Sequence, residues 1–127
     1  MTPQREAINN KETTIYVQMP AKWVVENRVK IISPAQIILL VSLYYGITVN
    51  EMISKTRIRT ICEARQMAML MLKTFTAIPL IDIGVLLGNR HHTSVIHGVK
   101  TIRALIDTEY RFKMDKEILS NKIKTQL

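Results

Sequence analysis

The sequence predicts an all-α fold. Helix-capping signals recur along the chain, apolar residues from Ile61 onward repeat at intervals of three and four, and only 4 Gly and 4 Pro interrupt 127 residues. Hydrophobic residues make up 47% of the chain, which excludes a low-complexity or fully disordered polymer. The length suits one domain with a real core.

Residues 1–31 form an arm set apart from a domain at 32–127. Its start, MTPQREAINNKETT, lacks the apolar centre of a secretory signal. Ile15, Val17 and Met19 then alternate with Tyr16 and Gln18 in a short strand-like stretch, and Trp23, Val24 and Val25 follow Pro20.

The domain opens at Ser33-Pro34, a hydroxyl cap followed by proline at the first helical position, where its missing N–H costs nothing. That helix runs to Tyr45 and stops at Gly46. A short helix follows from Thr48 to Ile53, with Glu51 completing a capping box. The basic loop SKTRIR leads into the longest helix, Thr60 to Thr76, whose stripe is Ile61, Ala64, Met67, Ala68, Met71, Leu72 and Phe75. The run MAMLML within it reads as core filler.

Pro79 opens a further short helix to Leu87, with Ile83, Val85, Leu86 and Leu87 as its apolar set, and Gly88 ends it. After a tight turn, a helix from His92 to Ile106 carries Val95, Ile96, Val99, Ile102, Leu105 and Ile106. A charged final helix spans Tyr110 to Ile123. Two helices joined by a short Gly-containing turn form a helix-turn-helix, which presents the start of its second helix, here His91, His92, Thr93 and Ser94, to the major groove of DNA.

Charge supports that reading. The chain carries a net +8, and the segment from Ser54 to Leu105 alone holds eight Lys/Arg against Glu63 and Asp82. The flanking segments, 1–53 and 106–127, each contribute only +1. A central basic excess points to a polyanionic partner. Lys55, Arg57 and Arg59 lie in the loop beside the helix-turn-helix, where arginines can enter a flanking minor groove.

Other chemistries have little to stand on. His92 and His97 are five apart, on different helix faces, and no Cys or carboxylate stands beside them as a further metal ligand. His97 is expected to pack. There is no G-x-S-x-G, H-E-x-x-H or phosphate-cradling G-x-x-x-x-G-K-[ST], and Glu63 and Asp82 read as isolated, solvated carboxylates. Neither enzymatic activity nor a cofactor is expected. The single Cys62 excludes an intramolecular disulfide, and the apolar run Ile37 to Tyr45 is too short to span a bilayer. A cytoplasmic, nucleoid-associated protein without membrane contact is the expectation.

The stretch YYGITVNEMISKTRIRTICEARQMAMLML, followed by GNRHHTSVIHGVKTI, resembles the C-terminal DNA-binding domain of the bacterial replication initiator DnaA. The resemblance covers roughly residues 32–118 and is made specific by ARQMAM and by R-x-H-T-[ST]-V-x-H. It implies a Trp-repressor-like helical bundle, with Ile81 to Leu87 and His92 to Ile106 as the helix-turn-helix. By position, Arg57 takes the place of the arginine that enters the minor groove. Arg65, Gln66, Lys73 and Arg90 fall at or beside phosphate-contacting sites, and His92, Thr93 and Ser94 fall in the base-reading turn.

Three departures qualify the resemblance. The family has Asp where this chain has His91, and a carboxylate there accepts from the cytosine amine, so a changed base preference is expected. It has Pro where Ile81 stands, at a position that touches a thymine methyl. The residues before the domain hold no nucleotide-binding motif, so neither ATP binding in the initiator's way nor origin melting is expected. The first helix is also more apolar than the family's: Ile38, Leu39, Leu40 and Leu43 must be covered, either by the arm or by a second chain. The function implied is sequence-preferring binding of double-stranded DNA. An adaptor that engages a protein partner through the first helix is the alternative.

Overall fold

A computed structural model describes residues 32–126 as six α-helices: α1 (Pro34–Tyr45), α2 (Val49–Ile53), α3 (Arg59–Phe75), α4 (Leu80–Leu86), α5 (His92–Thr108) and α6 (Tyr110–Gln126). The strand-like stretch Ile15 to Met19 and the proposed cover by the arm lie outside the described residues. No strand occurs among the described residues, so the all-α expectation holds. No helix there is long and apolar enough to cross a membrane.

The predicted caps form. Ser33 Oγ accepts the Gln36 N–H while the Gln36 side chain accepts the Ser33 N–H, each at 3.1 Å. Thr48 and Glu51 repeat the arrangement at the head of α2. These reciprocal bonds satisfy N–H groups that a helix start leaves without partners.

Helix α3 is the centre of the bundle and packs against α1, α2, α4 and α5, while α6 closes it over α1 and α5. The Met-rich run is core: Met67 and Met71 are fully buried and Met69 nearly so. Around them lie Ile37 and Val41 from α1, Ile83 from α4, Val95 and Ile102 from α5, and Phe112, Leu119 and Ile123 from α6. Each such side chain contributes about 1.5–3 kcal/mol on leaving water. The short α4 buries Ile83, but Val85, expected on the same apolar face, is 54% exposed.

Polar groups fix the far side. Tyr44 and Tyr45 both donate to the Asp115 carboxylate, at 2.6 and 2.9 Å, tying α1 to α6 across seventy residues of sequence. This bond, with burial and the carboxylate charge, pushes the Tyr44 phenol up to about 12. Tyr45 moves the same way, chiefly because it is buried.

Glu63 corrects the expectation of an isolated, solvated carboxylate. It is buried and bridges Arg59 and Arg111, at 3.1 Å each, so that α3 is pinned to the start of α6. Its hydrogen bond raises the Arg111 guanidinium above its usual value. Asp82 sits half-buried in the first turn of α4, where a carboxylate meets the positive end of a helix.

The apolar patch expected on α1 is smaller than its sequence suggests. Ile38 is buried and Leu40 packs against the core, which leaves Leu39 and Leu43 exposed, at 45% and 67%. A 3.6-residue period apportions four neighbouring apolar residues to more than one face, and half of them point inward.

Candidate nucleic-acid interface

Helices α4 and α5 pack together and enclose the turn Leu87 to His91. Two glycines make it possible. Gly88 has φ +97°, and a Cβ there would collide with the Ile53 carbonyl, while a Cβ on Gly84 would strike the Arg90 carbonyl. Only glycine allows these backbone approaches. The turn closes with Arg90 N–H donating to Gly84 O at 2.7 Å and Asn89 N–H to Val85 O at 3.1 Å.

At the head of α5, His91 is the cap. Its Nδ1 accepts the Thr93 N–H at 3.2 Å and lies 2.9 Å from Thr93 Oγ1, and its ring stands over that of His92 with centroids 4.4 Å apart. His91, Thr93 and Ser94 are exposed, and His92 is half-buried. The four residues therefore form a polar edge at the leading end of a seventeen-residue helix.

The basic loop between α2 and α3 is fastened to that turn. Arg65 is buried, with Nε donating to Met52 O at 2.8 Å and Nη2 to Ser54 O at 3.1 Å. Arg90 donates Nε to Leu87 O at 2.8 Å and Nη2 to the same Ser54 O. Lys55 Nζ completes the clamp by donating to Gly88 O at 3.0 Å. Among the described residues no carboxylate takes part. Burial, and then the Arg65 charge beside it, push the Arg90 guanidinium down from its usual value.

The other basic candidates divide. Arg57 and Lys73 are exposed, Gln66 is half-buried, and Arg59 reaches back to Glu63 while keeping its side chain 81% exposed. Ile81, at the start of α4, is 61% exposed. His97 overturns the expectation that it packs: it is exposed and borders a crevice of about 120 Å³ with Cys62, Gln66, Arg90 and Ser94. Its spacing from Ser94, three residues along the same helix, was the available signal that both face one way. Among the described residues no group of three or more His, Cys, Asp or Glu is placed to hold a metal ion.

Sequence comparisons place this arrangement. Residues 34–102 match the family model for the bacterial dnaA protein helix-turn-helix. The chromosomal replication initiator protein DnaA of Oenococcus oeni is 40% identical over 97 residues, which cover 76% of this chain and 22% of the relative. That of Flavobacterium psychrophilum is 35% identical over 123 residues, or 94% of this chain and 25% of the relative. An Ehrlichia ruminantium homologue is 37% identical over 81 residues, covering 64% and 18% respectively. The chain thus spans about a quarter or less of the length of these relatives. With the match extending from the first helix, through the clamped basic loop, to the middle of α5, the chain belongs to the bacterial DnaA C-terminal helix-turn-helix family.

Proposed function

We propose that this protein binds double-stranded DNA with a sequence preference, without enzymatic activity, and acts as a regulator. It would compete for initiator-like sites, serve the replication of a mobile element, or control transcription. The observation that carries the reading is the union of an exposed polar helix edge, His91 to Ser94, with a basic loop fastened to the same turn through Lys55, Arg65 and Arg90. A rigid junction of this kind fixes where the loop's cations stand when α5 meets a groove.

Two kinds of contact divide the work. Arg57, Arg59, Lys73, Lys55 and Arg90 supply charge toward phosphates and the flanking minor groove, which gives affinity that falls with salt. Arg65 is assigned a positioning role, because its guanidinium is spent on Met52 and Ser54 carbonyls. Gln66 lies beside it, at the phosphate edge. His92, Thr93, Ser94 and Ile81 meet base edges, with Ile81 offering an apolar contact to a thymine methyl.

His91 sets the preferred base. In its neutral form, with Nδ1 accepting the Thr93 N–H, its remaining proton sits on Nε2, so the ring presents a donor outward. A donor seeks an acceptor such as guanine O6 or N7, whereas a carboxylate at this position seeks the cytosine amine. Neither ATP nor another cofactor enters this reading, and its setting is the cytoplasm, at the nucleoid.

Fluorescence anisotropy with labelled duplex over a salt series tests the proposal. Affinity should fall linearly on logarithmic axes as salt rises, with a slope reporting several phosphate contacts. Leu39 and Leu43, both exposed, favour the second reading, an adaptor or homodimer joined through α1. Salt-insensitive self-association without duplex binding would decide for it.

A further inference from the structure

Beyond its reading edge, α5 carries a feature that base reading does not use. A groove of about 270 Å³ lies between the last turn of α3, the start of α4 and α5, with Leu80, Ile96 and Val99 as an aliphatic floor and Lys73, Lys100 and Arg103 as its rim. Among the described residues no carboxylate lines it, and Ile96 is 45% exposed. We propose that this groove binds a short acidic segment of another protein bearing one or two large apolar anchors.

Size and charge select that occupant. The volume falls just below that of pockets that enclose a drug-sized molecule, about 300–1,000 Å³, and suits one or two side chains. Three cations around an apolar floor call for an aliphatic or aromatic anchor flanked by Asp or Glu. A second copy of this chain, with net charge +8, is a poor match. So are residues 1–31, which hold five Lys/Arg against three Glu. A nucleic-acid backbone would satisfy the cations but would lay charged phosphate against Ile96 and Leu80, whose burial is the larger gain for an apolar anchor.

The position gives the groove a consequence. His92, Ile96, Lys100 and Arg103 follow one another at helical spacing along one side of α5, so the groove runs on from the reading edge. Lys73 belongs to both. An acidic segment seated there stands where a duplex would approach, and its binding and that of DNA are mutually exclusive.

The test uses the full chain and a labelled synthetic peptide of roughly 12 residues, with Leu and Phe placed to share one helical face and Asp or Glu elsewhere. An isomer of identical composition, with its apolar residues on opposite faces, is the control. The first peptide should bind at least about tenfold more tightly than its isomer, a difference of about 1.4 kcal/mol. Ile96→Ser and Arg103→Glu should each remove most of that preference, and duplex DNA should displace the peptide. Both residues are exposed, so the variants should keep the wild-type circular dichroism and melting; Lys100→Glu is a second charge reversal should either fail to do so. Equal binding of the two isomers, or an unchanged preference in the variants, would overturn the proposal. So would variants that weaken duplex binding alone, which would make the groove part of the DNA footprint.

Discussion

The two flanks of this small bundle use charged and polar side chains in opposite ways. On the flank where α6 meets α1 and α3, cation and anion meet: Glu63 holds Arg111 of α6, and Asp115 takes both tyrosine hydroxyls. On the flank made by the basic loop and the turn before α5, Arg65, Arg90 and Lys55 donate to backbone carbonyls of Met52, Ser54, Leu87 and Gly88, and Arg65 also to Cys62 Sγ, with no carboxylate among the described residues as a partner. A carbonyl satisfies a guanidinium's hydrogen bonds without cancelling its charge. The first flank is neutralised and structural, whereas the second is rigid and still positive, which is the condition for attracting a polyanion without rearrangement.

The sharpest way to break this contrast is Arg65→Met. It leaves the buried Met52 carbonyl without its donor and the Ser54 carbonyl with Arg90 alone, and should cost about 1–3 kcal/mol of stability. Urea denaturation reads this directly, and a loss below about 1 kcal/mol would mean that the clamp is not structural. Thr93→Ala comes next, with an expected loss of about 1–3 kcal/mol on the preferred duplex and much less on others. Equal losses on all sequences would deny Thr93 a base-reading role.

On the neutral flank, Asp115→Ala strips the acceptor from Tyr44 and Tyr45 and should cost about 1–2 kcal/mol of stability while leaving duplex affinity alone. Folding raises the Tyr44 phenol from 10.0 to about 12, so its contribution is complete below pH 10 and fades as pH climbs toward 12. The variant should lose that alkaline dependence, which thermal melting across this pH range would reveal. The smallest effect on fold, and a clear one on binding, belongs to Arg57→Ala. It should leave melting unchanged, weaken the preference for a narrow minor groove, and reduce the salt slope by about 1 in anisotropy titrations.

Local chemistry explains what was legible in the sequence. Caps such as Ser33-Pro34 and Thr48 with Glu51 act within four residues, and the period of the Met-rich helix is a property of one segment, so the helices fall where the sequence places them to within a residue or three. Direction was not legible. A basic run reads alike whether an arginine points outward, like Arg57, or inward, like Arg65, because the carbonyls that capture Arg65 lie eleven and thirteen residues away. Glu63 found a partner forty-eight residues on, Ile38 turned into the core beside exposed Leu39, and His97 faced solvent where packing was expected. Arg65 and Glu63 depend on tertiary neighbours that no short window contains, whereas helical spacing held the signal for Ile38 and His97.

The proposed role of the edge from His91 to Ser94 is to read DNA bases, with His91 acting as a donor. In vitro selection from a random duplex library at near-physiological salt, run in parallel with wild type and His91→Asp, tests it most directly. Both proteins should enrich a motif related to the family's box, differing at one base pair: guanine opposite His91 in the wild type, cytosine opposite the aspartate. Identical motifs would show that His91 does not reach a base, and folded proteins that enrich nothing would contradict sequence reading altogether.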